Sequence, residues 1–421
     1  MVEIWLPYGK TEVVARIPSE NLLAVVDVKE RSGVDDPTAE ITRVLDNPVG
    51  SRKLEEIAKL GDRVTIVVDD ATRPTLGSLM VYPILEKLGL AGVKDEDISI
   101  IVGRGIHRPT RPDEYPALIG ESALKRVRVI DHDCDAENLV YVGDTSRGTK
   151  VSLNRVFMEA DVKILTGDLG FHYYAGYGGG RKSVLPAIAS RASIQHNHGF
   201  LLEPGSRTGN LEGNAVHLDM EEAAHLANVD FAVNVVLNSE NRVVKAFAGD
   251  VDSVFIEGVK LVDEMYKVPV ESMADIVVTS PGGYPLDVDL YQAYKAVDGA
   301  LGVVKNGGVV VLVAECSEGY GDKVFYKWMK EYKTFEEVEK RIRRKFVIGG
   351  HKAYYLLKAL DRVKIILVST MPDHYAKNVF KLRTAKSVNL ALKAALEVTG
   401  NRSKVLVLSH GSSILPVLRQ A

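Results

Sequence analysis

Short β-branched runs alternate with amphipathic segments along most of this chain. Arg63 to Val68 precedes a helical pattern from Leu76 to Leu88, Ile98 to Val102 precedes a proline-rich turn, and Val162 to Leu165 precedes a glycine-rich loop. After Val270 the rhythm restarts with Asp275 to Thr279 and an amphipathic stretch from Asp289 to Gly299. The runs Gly308 to Val313, Val363 to Val368 and Lys404 to Leu408 follow. Strand-length apolar runs separated by helical ones predict an α/β protein with largely parallel or mixed sheets. Val268-Pro269-Val270 interrupts a helical run, which places a boundary there: one α/β domain over 1–270 and a second over 271–421. Function in such sheets sits at the carboxyl ends of strands, so the active site is expected in the cleft between the two domains.

The unusual polar residues fall at those ends. Val64 to Val68 leads into Asp69-Asp70-Ala71-Thr72-Arg73-Pro74-Thr75, and Ile98 to Val102 into Gly103-Arg104-Gly105-Ile106-His107-Arg108. Val162 to Leu165 leads into Thr166-Gly167-Asp168, just ahead of His172. Ile276 to Thr279 leads into Ser280-Pro281-Gly282-Gly283, then Asp289, Tyr291, Gln292 and Lys295. One such tip is an ordinary capped turn; four of them predict an active site.

The densest chemistry runs from Phe171 to Ser183, where Ala175-Gly176-Tyr177-Gly178-Gly179-Gly180-Arg181-Lys182-Ser183 follows His172, and continues into Gln195-His196-Asn197-His198-Gly199. Glycines permit positive φ and close approach, so the loop reads as shaped around something small. Both ordinary phosphate templates fail at one position. A Walker loop needs glycine directly before Lys-Ser, and the dinucleotide fingerprint starting at Gly176 needs glycine at the same place, which is Arg181.

Composition narrows the field. With 421 residues, 46% hydrophobic, and a net charge of −3, the chain is an ordinary globular protein with no basic surplus for nucleic acid. Cys134 and Cys316 are the only cysteines, too few for a cysteine-built metal site and in keeping with a reducing cytoplasm. Any metal must therefore use nitrogen or oxygen ligands from the protein. No signal peptide is read at the amino terminus, and the longest apolar runs, such as Val309 to Ala314, are too short to span a membrane.

On these residues the chain resembles the nickel-pincer lactate racemase family. The resemblance rests on His172, Lys182 and His198 in their glycine-loop and Asn-His-Gly settings, with Asp-Ala-Thr-Arg-Pro at 70–74, Gly-Ile-His-Arg at 105–108 and Tyr-Gln-Ala-Tyr-Lys at 291–295 in the family's order. It implies a pyridinium-3,5-bisthiocarboxylic acid mononucleotide holding Ni(II), attached covalently to Lys182, with His198 completing a planar nickel site. It also implies His107 and His172 as the paired proton-transfer residues, and Asp70, Ala71, Thr72 and Arg73 against the cofactor. Arg73, Tyr291, Gln292 and Lys295 would hold a substrate carboxylate.

The activity so implied is racemisation of a small 2-hydroxy acid by hydride transfer, with lactate the first expectation and malate, longer aliphatic or sugar acids the alternatives. Cofactor-making partner proteins are implied as well. Tyr173, Tyr174 and Tyr177 bring hydroxyls where phenylalanine is common in the family, which leaves the substrate's side chain open. Two rivals remain from the residues themselves. One is a zinc hydrolase built on His172, His196, His198 and Asp168; the other is a non-catalytic nucleotide- or nickel-binding protein.

Overall fold

The computed structural model describes residues 1–73 and 77–419; Pro74, Thr75 and Leu76, which the sequence assigns to a motif and a helix start, lie outside the described residues. The chain forms two compact units, Glu30–Glu264 and a second made of Met1–Lys29 with Met265–Ala421.

In the first unit the described residues build a six-stranded sheet in the order Val243–Gly249, Phe231–Leu237, Val162–Leu169, Val64–Asp69, Ile98–Gly103, Arg128–Asp131. All neighbours are parallel except the edge pair of Val243–Gly249 with Phe231–Leu237. The central strands are apolar on both faces, as a sheet covered on each side requires, and every residue of Phe231–Leu237 is buried. Helices Pro37–Asp46 and Gly77–Leu90 lay Ile41, Val44, Leu45, Val81, Ile84 and Leu88 against Ile66, Ile100 and Ile164. The first of these helices starts where it does because the Asp36 side chain accepts from the Ala39 amide at 2.9 Å and Pro37 needs no amide partner there.

The second unit holds an all-parallel sheet, among the described residues six-stranded, in the order Arg383–Ala385, Lys364–Val368, Val304–Val313, Ala274–Thr279, Val405–Leu408, Leu22–Val26. Its last strand corrects the expected division at 270. The first 29 residues belong to this unit, because Leu22–Val26 pairs with Val405–Leu408 and the hairpin of Val2–Tyr8 with Thr11–Ile17 buries its inward face in the same core. That face is Ile4, Leu6, Ala15 and Ile17, packed with Ile276, Val278, Val309 and Leu392. No helix among the described residues is long and apolar enough to cross a membrane.

Leu6 is fully buried in this core, so Leu6→Ala should lower the unit's stability by about 2–5 kcal/mol. Tryptophan fluorescence during urea unfolding reads this directly, since Trp5 and Trp328 both lie in the same unit. An unchanged midpoint would contradict the placement of the amino-terminal hairpin.

Candidate active site

Three of the four polar strand tips are neighbours in the first unit's sheet, where Val162–Leu169, Val64–Asp69 and Ile98–Gly103 lie side by side. Asp70 follows the middle strand and His107 the next. The turn that brings His107 back is made by Gly105 at φ +52°, whose amide donates to the Ala187 carbonyl at 2.9 Å. His107 Nδ1 stands 2.7 Å from Asp70 Oδ2, and Thr72 Oγ1 donates to Asp70 Oδ1 at 2.6 Å. Asp70 is buried, which pushes its carboxyl upward, but the His107 and Thr72 hydrogen bonds outweigh burial and hold it below the usual carboxylate range. A carboxylate facing Nδ1 places a proton there and leaves the unshared pair of the neutral ring on Nε2. Expected from its motif to lie against a cofactor, Asp70 has both oxygens engaged by His107 and Thr72, while the His107 ring reaches solvent.

A second carboxylate group lies behind this pair. Burial, then repulsion from Asp168, pushes the Asp69 carboxyl up to about 7 against the pull of Arg73, and burial raises Asp168 despite Arg73 and Lys182. Arg73 is exposed overall; burial of its charged end opposes ionisation, and the carboxylates of Asp168, Asp69 and Asp70 more than compensate.

The glycine loop is folded onto the protein itself. A Cβ on Gly176 (φ +77°) would stand 2.3 Å from the Asn210 carbonyl oxygen, and one on Gly179 (φ +74°) 2.9 Å from that of Asp168. Its amides are engaged too: Gly178 N donates to Gly170 O at 2.8 Å, Gly180 N to Asn234 Oδ1 at 3.1 Å and Lys182 N to Gly179 O at 3.2 Å. These close approaches are to the chain: Gly176 and Gly179 make room for its own carbonyls, and the amides of Gly178, Gly180 and Lys182 are engaged within the protein.

Arg181, the residue that spoils both phosphate templates, is the staple. Buried to 2% exposure, it donates to the carbonyls of Ala175, Tyr177 and Gly179 at 3.0–3.3 Å and to His217 Nδ1 at 3.0 Å, with its guanidinium 3.9 Å from the Phe255 ring centre. The next side chain, Lys182, is also buried, and burial followed by repulsion from Arg73 and Arg181 holds its amine well below the ordinary lysine range.

His172 sits on a two-residue strand, Phe171–His172, paired antiparallel with Gly176–Tyr177, and its Nδ1 accepts from the Ala175 amide at 3.2 Å. In the neutral ring the proton then lies on Nε2, the opposite tautomer to His107. Tyr174 packs in T-shaped contacts with two histidines, its ring 4.4 Å from that of His172 and 5.2 Å from that of His198. The hydroxyl of Tyr177 is bound to Asp263 at 2.6 Å, so this departure from phenylalanine serves the fold.

Helix Arg191–Gly199, capped by Ser190, carries both candidate ligands. His198 is buried with Nδ1 3.0 Å from Asn197 Oδ1, whereas His196 is exposed and bonded through Nδ1 to Thr149 Oγ1 at 2.8 Å. Among the described residues, the one group of three ligand atoms close enough to share a metal is Asp133, Cys134 and Asp135. The zinc arrangement of His172, His196, His198 and Asp168 is therefore not formed.

In the second unit, Tyr291, Gln292 and Lys295 are half-buried on one side of helix Leu290–Leu301, which follows the carboxyl end of Ala274–Thr279. Spacings of three and four residues put them on that common side, and Asp289 caps the helix by accepting from the Gln292 amide at 2.7 Å. Burial raises the Tyr291 hydroxyl above its ordinary range.

The description "lactate racemase N-terminal domain" matches residues 8–209, and "lactate racemase C-terminal domain" matches residues 270–416. The chain is 34% identical to a lactate racemase of Thermoanaerobacterium thermosaccharolyticum, with 99% of each chain covered. It is 33% identical to one of Lactiplantibacillus plantarum, covering 99% of this chain and 100% of the other. The solved apoprotein of the former superposes over 100% of both chains with a TM-score of 0.91. A Thermotoga maritima protein at 18% identity, covering 92% of this chain and 100% of its own, shares the fold with a TM-score of 0.69.

The raised Asp69 carboxyl has a consequence for stability. The folded state keeps a proton that the unfolded chain loses near pH 4, so stability from this group is complete below about pH 4 and is lost as pH rises through about 7. In urea unfolding of the apoprotein, Asp69→Asn should gain on wild type between pH 5 and pH 8. A constant difference across that interval would show that Asp69 ionises normally.

Proposed function

We propose, from the premise that this chain belongs to the lactate racemase family and is an isomerase, that it interconverts the enantiomers of a small 2-hydroxy acid, lactate first, with a nickel-pincer nucleotide carried on Lys182. The residues present fit that group. A lysine that is to form an amide-type bond must offer an uncharged nitrogen, and burial, followed by repulsion from Arg73 and Arg181, shifts Lys182 in that direction. His198 offers a buried imidazole, a good ligand for nickel. The observation that carries the reading is their setting: Lys182 on a stapled turn, with His172 and His198 both packed against the Tyr174 ring.

When bound, the cofactor supplies the capacity to take a hydride from the α carbon and return it. The chain's own residues supply proton transfer and orientation. His107, with its Nδ1 proton given to Asp70, presents Nε2 as the base for the hydroxyl proton of one enantiomer. His172 serves the oxygen from the other side: it gives up its Nε2 proton as an imidazolium, its Nδ1 having exchanged the Ala175 contact for a proton, so that the ring is left neutral, and the roles exchange in the reverse direction.

Asp70 thus serves the reaction by orienting His107, and Ala71, Thr72 and Arg73 complete the cofactor-facing segment. Arg73, with Tyr291, Gln292 and Lys295, is assigned to the substrate carboxylate, a guanidinium being suited to a two-point grip. The reading further implies partner proteins that make the cofactor, and a cytoplasmic setting, supported by the unpaired thiols of Cys134 and Cys316.

Protein from a host able to make the cofactor should racemise D- and L-lactate, followed by enantioselective chromatography. Malate, longer aliphatic and sugar acids are assayed in parallel to set the substrate. His107→Ala and His172→Ala should each slow both directions about 10²–10⁴-fold with nickel content unchanged. Undiminished turnover in either variant would exclude the two-histidine mechanism, and unchanged optical purity of every acid with fully loaded protein would exclude the function.

A further inference from the structure

We propose that Asp219, acting through Asn197, fixes His198 in the tautomer that carries its proton on Nδ1 and an unshared pair on Nε2, so that Asp219 and Asn197 are positioning residues for the nickel ligand. The metal role rests on the reading above; the tautomer does not.

The inference follows from hydrogen-bond bookkeeping in a dry place. Asp219, on helix Ala215–Leu226, and Asn197 are both completely buried. Asp219 Oδ1 accepts from Thr145 Oγ1 at 2.6 Å, and Oδ2 accepts from Thr149 Oγ1 and from Asn197 Nδ2, each at 2.8 Å. Asn197 Nδ2 also donates to the Val216 carbonyl at 3.1 Å.

A backbone carbonyl has nothing to donate, so the nitrogen of the Asn197 amide must be the atom facing Val216 and Asp219. A flipped amide would set oxygen against two acceptors. Oδ1 is thereby turned toward His198 Nδ1 at 3.0 Å. That oxygen has no hydrogen either, which leaves Nδ1 to bear one and Nε2 to keep its lone pair. An imidazole ligand needs that state, and orientation of a metal-binding histidine through its other nitrogen is the usual way to hold it.

The same carboxylate sorts the two histidines of the helix. Thr149, held by Asp219, takes up His196 Nδ1, so the exposed histidine is tied to the network's outer side while the buried one is presented by its inner side. Nothing in the Asn-His-Gly pattern announces Asp219, which lies twenty-one residues beyond His198.

Apoprotein labelled with ¹⁵N-histidine tests the relay without any cofactor. Long-range ¹H–¹⁵N correlation distinguishes the two tautomers, and the His198 signals are assigned by their loss in His198→Gln. Wild type should show Nδ1 protonated and Nε2 bare; the opposite pattern overturns the proposal, whether or not the Asp219 and Asn197 variants fold. Asp219→Asn, and separately Asn197→Leu, should abolish that fixed state, whereas Thr149→Val should keep it.

In protein from a cofactor-making host, Asp219→Asn should retain the Lys182 adduct by mass but hold nickel about 10–100-fold less firmly. Full nickel retention despite a shifted tautomer would overturn the positioning role. If His198→Ala also kept its nickel, the ligand assignment made in the functional reading would fall, while the tautomer result would stand on its own.

Discussion

Two cations are buried side by side on one short turn, and the treatment each receives decides what this part of the molecule can do. Removing a charge from water is costly unless hydrogen bonds replace the lost solvation. Arg181 receives much of that replacement from three carbonyls, a histidine nitrogen and an aromatic face, although burial still lowers its guanidinium to about 9. At Lys182 burial, then repulsion from Arg73 and Arg181, pushes the amine toward its uncharged form instead. One buried base thus holds the loop in shape, and the next lies within it with its balance shifted toward the neutral amine.

The surrounding groups follow from that arrangement. Asp69 and Asp168 are drawn into the same enclosed region, where burial keeps them from ionising freely while Arg73 partly offsets the cost. Asp70, one residue along, escapes this by turning to His107 and Thr72, which is why it stays ionised and can orient an imidazole. Adjacent aspartates therefore differ in chemistry because of what their side chains meet, and the sequence Asp-Asp alone does not tell them apart.

Much of the architecture was readable because buried parallel strands need unbroken Val and Ile runs. Val64–Asp69, Ile98–Gly103 and Ala274–Thr279 lie where those runs predict, and Asp289 caps the expected helix. Pairing partners were not readable: Leu22–Val26 joins Val405–Leu408 across nearly the whole chain, and no local pattern records that choice. In the site, His107, His172, Lys182 and His198 stood out by motif. The groups that tune them did not, since Arg181 registered only as a failed template, and Asp219 as an ordinary helical acid. The glycines misled in one respect, because Gly176 and Gly179 make room for the chain's own carbonyls.

The functional reading stands on Lys182 as the anchoring amine of the cofactor. Peptide mapping by mass spectrometry of active, nickel-loaded protein tests it most directly. The account predicts that the added cofactor mass is found on the peptide containing Lys182 and on no other lysine. Fully active protein with an unmodified Lys182 would contradict it.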